Sequence, residues 1–214
     1  TESAFCTFIR RCYMRNGANK YVPNTSNIMP YFGGHSQKCH LTVLENTENL
    51  VITKTSRIVQ RPTVIACMTT RPMICELEDP RGEREGFICN YVDYLCVDET
   101  KRGAGLASQM IYTHEYHLQR VPSMPTVSVF KREGALMGII PICAYEMEGF
   151  DMHTWRPMQP LPANVGKVVQ CTPATLHMLT DFMRRRVKSD FGMYLGVSDG
   201  NLAEIIRTQN VYIY

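Results

Sequence analysis

Residues 87–97 constrain the fold most. They are rich in β-branched and aromatic side chains, with apolar residues on both faces, the pattern of a strand central to a sheet. The chain then enters a loop holding Arg102, Gly103 and Gly105. Residues 103–119 follow with Leu106, Met110, Ile111, His114 and Leu118 clustered at helical spacing. Pro122 and Pro125 stop that helix, and residues 126–130 read as the next strand. Two strands joined through a crossover helix should lie parallel in one sheet. Upstream, apolar residues 41–44 and 50–52 flank a polar stretch, 45–49, which predicts a β-hairpin. Residues 63–68 and 73–77 predict two further strands, and 79–82 carries the residues of a turn. Residues 1–39 begin apolar (Phe5, Phe8, Ile9) and become turn-rich. Residues 139–147 read as a short helix.

The chain has 214 residues, 44% hydrophobic and 20% charged, enough to bury a core. Its apolar runs, such as 138–144, fall far short of the ~20 residues of a membrane span. It opens on Thr1, and no basic segment with a following apolar run suggests a signal peptide. A formal charge of +3 does not point to nucleic acid. The nine cysteines are odd in number, widely spaced and often within apolar stretches, with no Cys-x-x-Cys. That fits reduced, buried thiols of a cytoplasmic or otherwise intracellular protein and argues against a structural metal. His114 and His117 lie three apart on the predicted helix and read as a half-exposed pair rather than metal ligands. His35, Cys39 and His40 read as structural, as does Cys96. Arg184, Arg185 and Arg186 read as a solvated helix end that complements the dipole.

Residues 155–164 are proline-rich and form the candidate linker between a domain at 1–154 and a partial second unit at 165–214. In that unit, 165–169 predicts a strand, and Thr172 with Pro173 predicts a helix start. Leu176, Leu179, Phe182 and Met183 line the helix's apolar face. A shorter helix at 202–207 and a strand at 211–214 complete it.

The chemistry concentrates at 92–107. Small residues after a strand let an anionic group approach the backbone, and the first N–H groups of the following helix have no internal partners. Lys101 and Arg102 add positive potential. This describes a pyrophosphate cradle without the Lys-Ser/Thr ending of a nucleoside triphosphatase. The glycines could equally make only a tight strand-to-helix turn.

Arg102-Gly-Ala-Gly105-Leu-Ala107, following Leu95-Cys-Val-Asp98, resembles motif A of the GNAT superfamily of acyl-CoA-dependent N-acyltransferases, Gln/Arg-x-x-Gly-x-Gly/Ala. Residues 144–150 are similar to that family's later Tyr-bearing element with its Gly-Phe pair. Asp93-Tyr-Leu-Cys-Val97 resembles the Asn-Phe-Leu-Cys-Val strand of eukaryotic N-myristoyltransferases, and 128–145 resembles their next strand and loop. The likeness spans 40–214 and is strongest over 92–150, corresponding to the N-terminal half of those enzymes. It implies an α/β GNAT fold: a mixed, mostly antiparallel sheet with two splayed parallel central strands and flanking helices.

The resemblance also implies roles. The amides of Tyr94 and Leu95, freed by a strand bulge, would polarise a thioester carbonyl. Val97, Arg102, Gly103, Ala104, Gly105, Leu106 and Ala107 would hold the co-substrate acyl-CoA, acetyl or myristoyl, with no metal. Tyr145 would protonate the leaving thiolate, and a protein or peptide amine would be the acceptor. Two features depart from N-myristoyltransferases: the loop lacks their basic residues at 103–105, and 15–21 is basic where they are acidic. Asp93, where they carry Asn, reads either as a replacement base or as structural. The alternative expectation is a GNAT-fold structural or assembly protein, a component of a larger or viral particle, that no longer turns over.

Overall fold

The computed structural model describes residues 2–14, 22–52, 57–131, 140–144, 146, 148, 151–154, 156, 162 and 164–214. Helix α1 (Glu2–Cys12) and a short α2 (Thr25–Ile28) precede strands β1 (His40–Ile52), β2 (Arg57–Glu78) and β3 (Arg84–Val97). Helix α3 (Leu106–Leu118) leads to β4 (Ser128–Phe130), and α4 (Leu176–Asp190), β5 (Met193–Gly196) and α5 (Asp199–Arg207) follow. The class is α/β with a mixed sheet.

Strand β2 is the spine. β3 pairs antiparallel along one edge, while β1 and β5 share the other, β1 against 57–70 and β5 against 74–77. Pro72, which has no N–H to donate, lies where that edge passes from one partner to the other. β4 pairs parallel with β3 from Asn90↔Ser128 to Val92↔Phe130, as the crossover helix requires. The 79–82 turn closes the β2–β3 hairpin, with Gly82 N–H on the Asp79 carbonyl at 2.9 Å.

Several expected boundaries move, each for a physical reason. No turn interrupts 45–49, because β1 continues there as half of a two-stranded ribbon with β2. β3 reaches only as far as Ala66 on β2, so Glu45, Asn46 and Thr47 face solvent although they belong to a strand. The two strands expected at 63–68 and 73–77 are one. The intervening Thr69, Thr70 and Arg71 are polar yet buried, each with an internal partner. Residues 140–144 form no helix, and Ile140 is 95% exposed. Residues 165–169 and 211–214 form no strand, though the Cys171 N–H donates to the Ile213 carbonyl. Helix α4 starts at Leu176 with Thr175, not Thr172, as N-cap. The C-terminal segment adds β5 to the same sheet as β1–β4, and most of the linker expected at 155–164 lies outside the described residues.

Two helices cover opposite faces of the sheet. Phe5, Phe8, Ile9 and Cys12 of α1 pack on Cys67, Tyr94 and Cys96. Met110 of α3 packs on Ala66, Met68 and Val92. Among the described residues, no helix is long and apolar enough to cross a membrane.

His114 is not half-exposed. It is 1% accessible and links α3 to two strands, Nδ1 to the Thr42 hydroxyl at 2.8 Å and Nε2 to the Thr70 hydroxyl at 2.9 Å. Burial, with the positive charges of His40 and His117 behind it, lowers its pKa to about 4. The fold therefore holds a neutral imidazole, while the unfolded chain protonates near pH 6.5. Stability from this site is full above pH 6.5 and is lost as pH falls from 6.5 towards 4. Urea unfolding should show a loss of about 2 kcal/mol between pH 7.5 and pH 5, at about 1.4 kcal/mol per pH unit. His114→Gln should remove most of that dependence; an unchanged slope would assign it elsewhere.

Candidate active site

A glycine turn joins β3 to α3. Gly103 and Gly105 sit at φ +83° and +72°, in the left-handed region. A Cβ at Gly105 would meet nothing within 4 Å, so the glycine is demanded by backbone conformation rather than by crowding. Gly105 is the N-cap of α3 and supplies no capping side chain. The first amides of the helix are consequently open to an outside acceptor.

This turn forms one side of a cleft of about 750 Å³, within the usual range for small-molecule sites. Leu95, Cys96 and Val97 of β3 supply one wall, and Lys101, Arg102, Gly103, Gly105, Leu106 and Ala107 another. Cys12, Tyr13 and Met14, at the end of α1, complete it. Arg102 is exposed, and its Nε donates to the Val97 carbonyl at 3.3 Å, which fixes the guanidinium beside the turn. Ala104 lies between the two glycines and is exposed, but does not contribute to the cleft lining.

Of the residues expected to act on a thioester, Leu95 lines the cleft and Tyr145 lies outside the described residues. Tyr94 is placed differently. A register irregularity sets Asp93 and Tyr94 opposite Thr69 alone, a bulge at the expected point in the strand. The amide it turns inward is occupied, however: Tyr94 N–H donates to the Thr69 hydroxyl at 3.1 Å. The Tyr94 ring packs edge-on against Phe5 and Tyr13, at 5.8 and 5.1 Å between centroids.

Asp93 is paired rather than free. Its carboxylate takes the Arg71 Nε–H at 2.8 Å, and the Arg71 guanidinium also lies over the rings of Tyr31 and Tyr91. Burial raises the Asp93 pKa and Arg71 opposes that rise. Asp93 does not line the cleft, so its role here is structural.

Sequence inspection overlooked Cys12, Tyr13 and Met14. A signal was present: Phe5, Phe8, Ile9 and Cys12 follow i, i+3, i+4, i+7, the spacing of one helix face. Among the described residues no group of three or more His, Cys, Asp or Glu side chains is arranged to hold a metal ion. No protein-family model matches the sequence, and no curated protein is significantly similar to it.

Proposed function

We propose that the chain is a GNAT-type N-acyltransferase that takes an acyl group from acyl-CoA and passes it to an amine of a protein or peptide. The observation that carries this reading is the cleft itself, in which an uncapped helix N-terminus, two left-handed glycines and the Lys101–Arg102 pair converge. Amides and cations together suit the pyrophosphate of CoA. The apolar wall at Leu95, Val97 and Leu106 suits the pantetheine arm. Of the two residues expected to polarise the thioester carbonyl, Leu95 is the one in that wall. The parallel β3–β4 pair, read with the sequence resemblance, is consistent with the two central strands of that fold.

Isothermal titration with desulfo-CoA, acetyl-CoA and myristoyl-CoA tests the assignment. Saturable binding at one site is expected, with Arg102→Ala about tenfold weaker, the usual value of one charge-assisted contact. A folded sample that binds none of the three would sink it.

A second reading draws on the Tyr94 amide. With that donor committed to Thr69, one half of the expected oxyanion site is spent inside the sheet. A GNAT-shaped assembly protein that binds CoA without turnover accommodates that observation. Binding with no transfer to any amine would favour it.

A further inference from the structure

Where α1 ends against the cleft, one thiol stands between a cation and a carboxylate. Cys12 Sγ receives the Arg11 Nε–H at 3.4 Å and reaches Asp98 Oδ2 at 3.7 Å. Asp98 is held in turn: Oδ2 takes Arg11 Nη2 at 3.1 Å, while Oδ1 takes the Thr100 amide and hydroxyl at 3.0 and 2.8 Å. The same Arg11 Nη2 also donates to the Val64 carbonyl at 3.2 Å. Although residues 12 and 98 are far apart in sequence, the set is fixed by α1, β2 and the end of β3, and Cys12, largely buried, is one of the residues that line the same cleft as Leu95 and Gly105. Burial tends to raise the Asp98 pKa, but the Thr100 hydrogen bonds and Arg11 hold it below the usual carboxylate range. A thiol with an ionised acceptor and a fixed cation has the surroundings of a nucleophile.

From this geometry, and resting on the acyl-CoA reading of the cleft, we propose that Cys12 is an acyl acceptor, taking the acyl group from the CoA thioester to give an S-acyl-Cys12 enzyme. The step balances without redox change. Sγ forms a bond to the acyl carbon, and the bond from that carbon to the CoA sulfur breaks. In the same step the Cys12 proton moves along its hydrogen bond to Asp98 Oδ2 and on to the departing CoA thiolate, without resting on the carboxylate. One thioester replaces another, so the exchange is close to thermoneutral. An amine attacking S-acyl-Cys12 would complete a two-step transfer and regenerate the thiol. The other cysteine in the cleft, Cys96, is less suited, because burial pushes its thiol up to about 12.

The test is mass spectrometry of the full chain after incubation with acetyl-CoA and with myristoyl-CoA. The expected product carries one acyl group on the peptide containing Cys12, released by neutral hydroxylamine. Cys12→Ala should lose that label. Asp98→Asn should slow labelling by about a hundredfold, the usual cost of removing a positioned base. Label on the exposed Cys143, or labelling that survives in Cys12→Ala at the same rate, would overturn the assignment. Desulfo-CoA binding without any label at Cys12 would overturn it and leave the cleft reading standing. No desulfo-CoA binding by the folded protein would remove both.

Discussion

Asn201→Leu is expected to lower unfolding stability by about 3 kcal/mol or more, because several buried carbonyls then lose their donor together. Asn201 is fully buried in α5, and its Nδ2 donates to the carbonyls of Pro30, Tyr31 and Gly33 at 3.2, 3.2 and 2.6 Å. The same contact brings backbone against backbone. Gly34 is at φ +73°, and a Cβ there would come 2.3 Å from the Gly200 carbonyl oxygen. One amide side chain therefore joins a C-terminal helix to the segment between α2 and β1, with no room for a replacement to shift. Asn201→Asp keeps the shape but aims a carboxylate at those carbonyls, so it should be worse at pH 7 and partly recover as the acid protonates. Thermal unfolding should register the leucine variant as a fall of about 10 °C, at roughly 3 °C per kcal/mol for a chain of this size. A loss below 1 kcal/mol would mean that the α5 junction contributes little to the cooperative fold.

Legibility in the sequence followed the range of the interactions. The strand, glycine turn and helix at 84–118 could be read because their cues are local: apolar runs, paired glycines and helical spacing. The 79–82 turn was legible for the same reason. Thr69, Thr70 and Arg71 were not, since a polar triplet between apolar runs resembles a turn until Tyr94 N–H, His114 and Asp93 are brought to it. Stretch 45–49 failed conversely, its strand being exposed on a ribbon. β5 is short, and its partner strand is distant in sequence. At the site, Leu95, Val97 and 102–107 belong to one continuous segment. Cys12 reaches the cleft only through packing of α1 on the sheet, and its link to Asp98 is tertiary.

Gly105→Asp should weaken CoA binding by more than a hundredfold, while Gly105→Asn should weaken it far less. The comparison isolates charge. Asn and Asp are nearly equal in size, and both tolerate the left-handed conformation at φ +72° better than other side chains. Neither would clash, since the space around a Cβ at this position is empty. The fold should survive in both, with circular dichroism and thermal unfolding as controls. They differ in what an incoming pyrophosphate meets. The aspartate places a fixed negative charge at the N-cap of α3, occupying helix amides and offsetting Lys101 and Arg102. At a separation of about 4 Å and an effective dielectric near 20, like charges repel by roughly 4 kcal/mol, and partial screening still leaves the ~2.7 kcal/mol of a hundredfold loss. Titration with desulfo-CoA across the three proteins reads this directly. Equal affinities for Gly105→Asp and Gly105→Asn would show that the turn does not meet the anionic part of a ligand. The two left-handed glycines would then serve only to bend the chain from β3 into α3.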